Sequence, residues 1–392
     1  MTKATPKADI LYLAYWHGKG MAYTLAHQGL AILRQAEKAG FRCHIASTAG
    51  EVEPGLWDLV RREAPADQVH VLANENSALK DLALRLLNSS ERPLVIDLHG
   101  IRQLQVLANL KKQFSERLKI VYEVHSYKNT SWKRLIYAFI ATNLFKRYVD
   151  YVLFPSIDAA HSLKFSQKLF ANGKAGIVPE GLEPWNEESC SRQPEGIPDN
   201  FIETVKDNSI FKFLYVAHFK KGKGHEWLVK AMLPTLQKHS NVRLLLPGDG
   251  YGTGIMDRVK GIAEKGDVGT QVVFSGYYPN NAIPWLVSNC DVGIVASRSE
   301  TFGRNYLEPM MAGCPIIGTR FGAGEWLIMD FFTGIGFEYG DSKALRRAAE
   351  YMTNHPILAR EMGQNAKTLF HCLFSWDRAA RTNVYIYESI IE

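Results

Sequence analysis

The 392-residue sequence predicts an α/β chain of two doubly wound domains. Two observations carry that prediction. Short apolar, β-rich runs alternate with amphipathic stretches, and the alternation fades at Pro184–Asn200 before starting again. Glycine clusters also follow several of the apolar runs, where a strand hands over to a helix.

The elements follow in order. Ile10–Tyr15 reads as the first strand, and Gly18-Lys19-Gly20 turns the chain into a helix from about Met21 to Lys38. Gly40 stops that helix and Phe41–Ser47 is the next strand. Leu94–Leu98, Ile120–His125 and Val152–Pro155 continue the pattern. Pro, Glu, Ser and Asn then dominate Pro184–Asn200, which marks a linker. The second series has strands at Phe211–Ala217, Val242–Pro247, Val272–Ser275, Val292–Ala296 and Pro315–Gly318, with helices at Glu226–His239, Ile255–Lys265 and Ile283–Ser288 between them. Such alternation implies parallel sheets with helices on both faces. Expected boundaries are a first domain at 1–185, a linker at 186–205, a second domain at 206–375 and a closing helix at 376–392. A ligand is expected between the two domains, at the carboxyl ends of the strands.

Composition narrows the class. The N-terminal apolar run stops at His17-Gly18-Lys19, too early for a signal peptide or a membrane span, so a cytoplasmic protein is expected. Five cysteines, an odd number without metal-site spacing, point to reduced thiols rather than a disulfide scaffold. Residues 1–185 hold 24 Lys and Arg against 17 Asp and Glu, a net +7; residues 186–392 hold 22 against 23. A basic first half suits an anionic acceptor, a membrane surface or plain solvation. Nothing in it points to nucleic acid. Ser131–Tyr148 (SWKRLIYAFIATNLFKRY) is open to two readings: a peripheral membrane contact or a packed helix.

Three glycine clusters fail strict nucleotide patterns. HGKGMAY has Tyr23 where a dinucleotide fingerprint needs glycine, PGDGYGTG has Thr253 at its third position, and KKGKGHEW lacks the Ser or Thr after a P-loop lysine. Gly18 and Gly20 still precede a helix N-terminus, which suits an anionic group. The stretch SRSETFGRNYLEPMMAGCP carries Glu300 and Glu308 around a helix start near Phe302 or Gly303. Glu300 lies in a loop at the strand end, the N–H groups of Phe302, Gly303 and Arg304 face an anion, and Glu308 is in reach of a diol. Carboxylates for hydroxyls with a phosphate site between them describe a nucleotide-sugar site. An isolated glutamate pair is more often a helix cap and a solvated residue.

The segment ETFGRNYLEPMMAGCPIIGTRFGAGE resembles the E-x7-E segment of retaining glycosyltransferases of family 4, which have the GT-B fold: two Rossmann-like domains facing each other across a cleft, with a C-terminal helix crossing back to the first. LYLAYWHGKGMAYTLAHQGLAILRQAEKAGFRCHIAS, IVYEVHS, FLYVAHFKKGKGHEWLVKAM, LLPGDG, VVFSGY, CDVGIVASRSE and FSWDRAARTNVYIYESIIE resemble further family segments in the same order. The resemblance implies a nucleotide-sugar donor (UDP-, GDP- or ADP-linked) and a glycan, lipid-linked or small hydroxyl acceptor. It implies Glu300 on the donor sugar, Glu308 on the ribose, Lys223 on the diphosphate, His125 near the reacting centre, and Gly18–Gly20 lining the cleft. Catalytic candidates are therefore His125, Glu300 and Lys223. Donor-binding candidates are Gly18, Gly20, His218, Lys223, Glu300, Phe302, Gly303, Arg304 and Glu308.

This chain departs from the family in having His218 where an arginine usually stands, and Glu180-Gly181 where Asn-Gly is usual. No Asp-x-Asp sequence occurs, so no metal and no other cofactor is expected. Glycosidase, nucleotide-sugar epimerase and non-catalytic binding module are the competing expectations.

Overall fold

Strand β1 (Asp9–Leu13) is buried along its whole length, and its residues alternate between two cores. Ile10 and Tyr12 join the helices Met21–Lys38 and Trp376–Ile391 on one face. Leu11 and Leu13 join Glu75–Ser89 and Ile101–Gln113 on the other. The two-residue period of a strand produces this division, and a strand covered on both faces is mostly apolar. Each large side chain so buried contributes about 1.5–3 kcal/mol.

The computed structural model describes residues 5–13, 21–48, 56–72, 75–124, 143–161, 166–179, 181–250, 252–298 and 303–392. They form two units: Met1–Glu183 with Ser375–Glu392, and Pro184–Phe374.

The first unit holds β1, β2 (Arg42–Thr48), β3 (Val69–Leu72), β4 (Leu94–Leu98), β5 (Leu118–Glu123), β6 (Tyr151–Phe154) and β7 (Ala175–Ile177). Their order in the sheet is β3-β2-β1-β4-β5-β6-β7, with every neighbouring pair parallel. The closing helix Trp376–Ile391 inserts Trp376, Ala380, Val384 and Tyr387 into this unit's core beside helix Met21–Lys38. Within Ser131–Tyr148, residues 131–142 lie outside the described ones. Residues 143–148 are helical, and Phe145 and Tyr148 are buried in the core.

The second unit holds β8 (Phe211–Leu214), β9 (Val242–Pro247), β10 (Val272–Gly276), β11 (Val292–Val295), β12 (Ile316–Thr319) and β13 (Gly334–Phe337), in the order β10-β9-β8-β11-β12-β13, again all parallel. Residues 186–205, expected as a linker, instead hold helices Glu187–Ser191 and Asp199–Lys206. Ile197, Phe201, Ile202 and Val205 are buried against Trp285 and Leu286. Polar residues dominate the composition there, but the few apolar ones recur at helical spacing and cover the core.

Candidate functional site

In each sheet the chain first winds outward on one side and then returns to the other. In the second unit that reversal lies between β8 and β11. Open parallel sheets bind ligands beyond the carboxyl ends of the strands at such a point. The loops leaving β8 and β11 there are joined directly. Arg298 N–H donates to Gly222 C=O at 2.7 Å. Gly224, at φ +74°, heads helix His225–Lys238 so close to β11 that a Cβ would stand 2.2 Å from Ala296 O. Only glycine meets both conditions.

Buried hydroxyls reinforce this junction. Tyr215 Oη donates to Lys223 C=O at 2.8 Å, and Ser297 Oγ lies 2.8 Å from the same oxygen. With the phenol proton committed to Lys223, the Ser297 hydroxyl donates to Tyr215. Thr319 Oγ1, at the end of β12, donates to Ser297 C=O at 3.0 Å. Tyr306 Oη donates to Thr319 C=O at 2.9 Å. One chain of contacts thus runs from the Lys223 backbone to the helix Arg304–Ala312.

That helix starts at Gly303, whose φ of +83° again favours glycine. Its first N–H groups have no partners within the helix and carry partial positive charge. Arg304 and Glu308, one turn apart, form an ion pair at 3.2 Å (Nη2–Oε1). Glu308 is 5% exposed, so it is not the solvated helix residue that an isolated glutamate pair suggests. Burial raises its pKa, and Arg304 partly offsets that. Pro309, inside the helix, packs where a Cβ on Gly293 of β11 would be only 2.7 Å away, so glycine in the strand permits the close approach.

Half-buried His218 follows β8. Burial first, and then Lys220, lower its pKa, with Asp249 opposing and Lys223 adding to the effect. Among the expected site residues, Lys223, His218, Gly303, Arg304 and Glu308 are thus placed on the two loops and the helix after β8 and β11. His125, Glu300, Gly18, Gly20 and Phe302 lie outside the described residues.

A second polar cluster occupies the corresponding region of the first unit, where its order reverses between β1 and β4. Glu123, at the end of β5, accepts from Gln28 Nε2 (3.0 and 2.7 Å) and Asn383 Nδ2 (3.0 Å). His99 Nδ1 is 3.5 Å from the same carboxylate, and its side chain is 2% exposed. Tyr387 Oη donates to Asp97, which is fully buried with its pKa raised by desolvation to about 7. Single acidic residues inside the apolar runs LVIDL and IVYEV were the available signal.

Comparison with known proteins bears on the second unit first. Residues 197–369 match the family of glycosyl transferases group 1. Among curated relatives, N-acetyl-alpha-D-glucosaminyl L-malate synthase of Bacillus anthracis is 28% identical over 180 residues, 45% of each chain. An uncharacterized glycosyltransferase of Methanocaldococcus jannaschii is 26% identical over 220 residues, 56% of this chain and 55% of the relative. The chain spans about half the length of the curated relatives it matches. Among solved structures, a glycosyltransferase from Rickettsia africae superposes with a TM-score of 0.76 over 98% of this chain and 99% of its own, at 18% identity. Anabaena HepE, solved with UDP and glucose, gives 0.72 over 97% and 100%, also at 18% identity. The fold is therefore GT-B: two parallel Rossmann-like sheets, with the last helix packed on the first.

Proposed function

We propose that this chain is a retaining, metal-independent glycosyltransferase of the family 4 type, moving a hexose-type sugar from a nucleotide-sugar donor to a glycan, lipid-linked or small-molecule hydroxyl. One observation carries the reading. Within a segment that matches the glycosyl transferases group 1 family, the Lys223 loop and the Gly303-headed helix are hydrogen-bonded to a shared frame beyond β8 and β11. A cation and a helix N-terminus beside a buried carboxylate suit a diphosphate with a ribose attached.

Breaking the bond from sugar C1 to phosphate leaves negative charge on the diphosphate and oxocarbenium character on the sugar. Lys223 and the N–H groups following Gly303 stabilise the leaving group. His218 adds charge when protonated, in the place of an arginine. Glu308, oriented by Arg304, accepts from ribose hydroxyls. Glu300 is assigned to the donor sugar and His125 to the reacting centre. Gly18 and Gly20 are assigned to the cleft lining and Phe302 to the phosphate loop. Departure and attack on the same face, with the leaving phosphate taking the acceptor proton, retain configuration without a nucleophile from the protein. Anabaena HepE holds UDP and glucose, which makes UDP-sugars the first donors to test.

Incubation with radiolabelled UDP-, GDP- and ADP-sugars and a panel of hydroxyl acceptors tests the reading. Labelled glycoside with retained anomeric configuration, formed in the presence of a chelator, is the expected product. Isomerised donor indicates an epimerase, binding without turnover indicates a binding module, and hydrolysis of simple glycosides indicates a glycosidase. Each of those three outcomes overturns the proposal.

A further inference from the structure

The turn entering β13 exposes an unusual amount of apolar surface. Met329 is 43% exposed, Phe331 60% and Phe332 50%. Phe331 also has φ +60°, a conformation in which a bulky side chain is strained and glycine is not. Neither burial nor backbone preference accounts for an aromatic residue at this position.

The surface is continuous with its neighbours. The Phe331 ring meets Tyr351 edge-on at 5.2 Å, and Tyr351 stacks on His355 at 4.5 Å. Pro356 then opens a helix whose first turn exposes Ile357 (69%) and Leu358 (40%). Asn365 of that helix, seven residues beyond Leu358 and on the same face, donates to Phe332 C=O at 3.1 Å. An exposed patch of this kind marks an interaction surface.

Charge identifies the partner. Exposed Lys343 and Arg347 precede Tyr351 at four-residue steps, so they share its face of helix Ser342–Asn354 and flank the aromatic tip. The tip's own carboxylate, Asp330, is neutralised by Arg320 at 2.5 Å. Arg346 adds to the positive charge of that helix, while Asp341 at its start, Glu350 beside Tyr351 and Glu361 on the Asn365 face are the acidic residues at the margin. An interface with a second copy would bring two such basic stripes to the same patch. We propose that Met329, Phe331, Phe332, Ile357 and Leu358 insert into the interface of an anionic lipid bilayer while Lys343 and Arg347 bind its headgroups. This goes beyond the proposed reaction and does not depend on it.

Sedimentation of the full chain with vesicles of phosphatidylcholine, alone or mixed equally with phosphatidylglycerol, tests the proposal. The chain is expected to pellet with the mixed vesicles, to stay in solution with phosphatidylcholine alone, and to be released by salt. Lys343→Gln with Arg347→Gln should weaken binding about 25-fold, roughly fivefold per basic residue. Phe331→Gly with Phe332→Ser should abolish pelleting. Glycine accepts φ +60°, so the melting temperature of that variant should hold or rise, which separates lost docking from lost folding. Equal pelleting on both vesicles, no pelleting of the wild type, or unchanged binding by either variant overturns the proposal. So does a wild-type dimer, seen by sedimentation velocity, that the Phe331→Gly and Phe332→Ser changes dissolve.

Discussion

The hydroxyls of Tyr215 and Ser297 lie 2.8 Å apart, buried, and 82 residues apart in the sequence. Tyr215 simultaneously holds the backbone of Lys223. The lysine assigned to the donor diphosphate therefore gets its position from the same oxygen that anchors the end of β11.

Tyr215→Phe removes both contacts and leaves the Ser297 hydroxyl buried without that partner. The expected cost is about 1–3 kcal/mol of stability, measurable by denaturant unfolding. Looser placement of Lys223 should also weaken donor binding in calorimetry. Unaltered stability and unaltered donor affinity would contradict the role given to this hydroxyl.

Glu308→Gln should separate stability from binding. Burial disfavours the Glu308 charge and Arg304 only partly offsets that, so an uncharged amide is tolerated and the melting temperature should hold or rise. Loss of hydrogen bonds to a charged acceptor should lower donor affinity about ten- to a hundredfold. Arg304→Met should do the reverse to stability, leaving the Glu308 charge without its cation. A thermal melt and a donor titration on each variant check both statements.

Much of this architecture was legible beforehand. Strand runs such as DILYL and the glycine turns announce a parallel sheet because both follow from local geometry. The helix expected to start near Phe302 or Gly303 starts at Arg304, since glycine and the following periodicity act locally. The hydroxyl chain Tyr215–Ser297–Thr319–Tyr306 was not legible. Its members sit on separate elements, and Ser, Thr and Tyr are common enough that no spacing singles them out. The average composition of the stretch hides helices Glu187–Ser191 and Asp199–Lys206, the second of which is buried through single residues such as Phe201 and Val205.

Asp97 should make stability fall with rising pH. Its carboxyl titrates at about 7 in the folded chain against an ordinary value of 3.8. The folded state thus keeps a proton that the unfolded state releases. The contribution is complete below about pH 4 and is lost as pH climbs through 7. Unfolding free energies at pH 5 and pH 8 should differ more in the wild type than in Asp97→Asn. Equal slopes would contradict the assignment.

His218 should make donor binding pH-dependent. Burial and the nearby Lys220 and Lys223 favour its neutral form, while Asp249 opposes them. A bound diphosphate favours the imidazolium, so binding takes up a proton and affinity falls as pH rises from 5 to 8. His218→Arg, always charged, should flatten the profile. A steeper profile in that variant would count against a phosphate contact.

Thermal melts of the wild type and of Lys223→Met across UDP-, GDP- and ADP-sugars test the central claim most directly. At least one nucleotide sugar should raise the wild-type melting temperature and leave Lys223→Met unmoved. A wild type that responds to none of them, or a Lys223→Met variant stabilised as much as the wild type, would contradict a donor diphosphate held at Lys223.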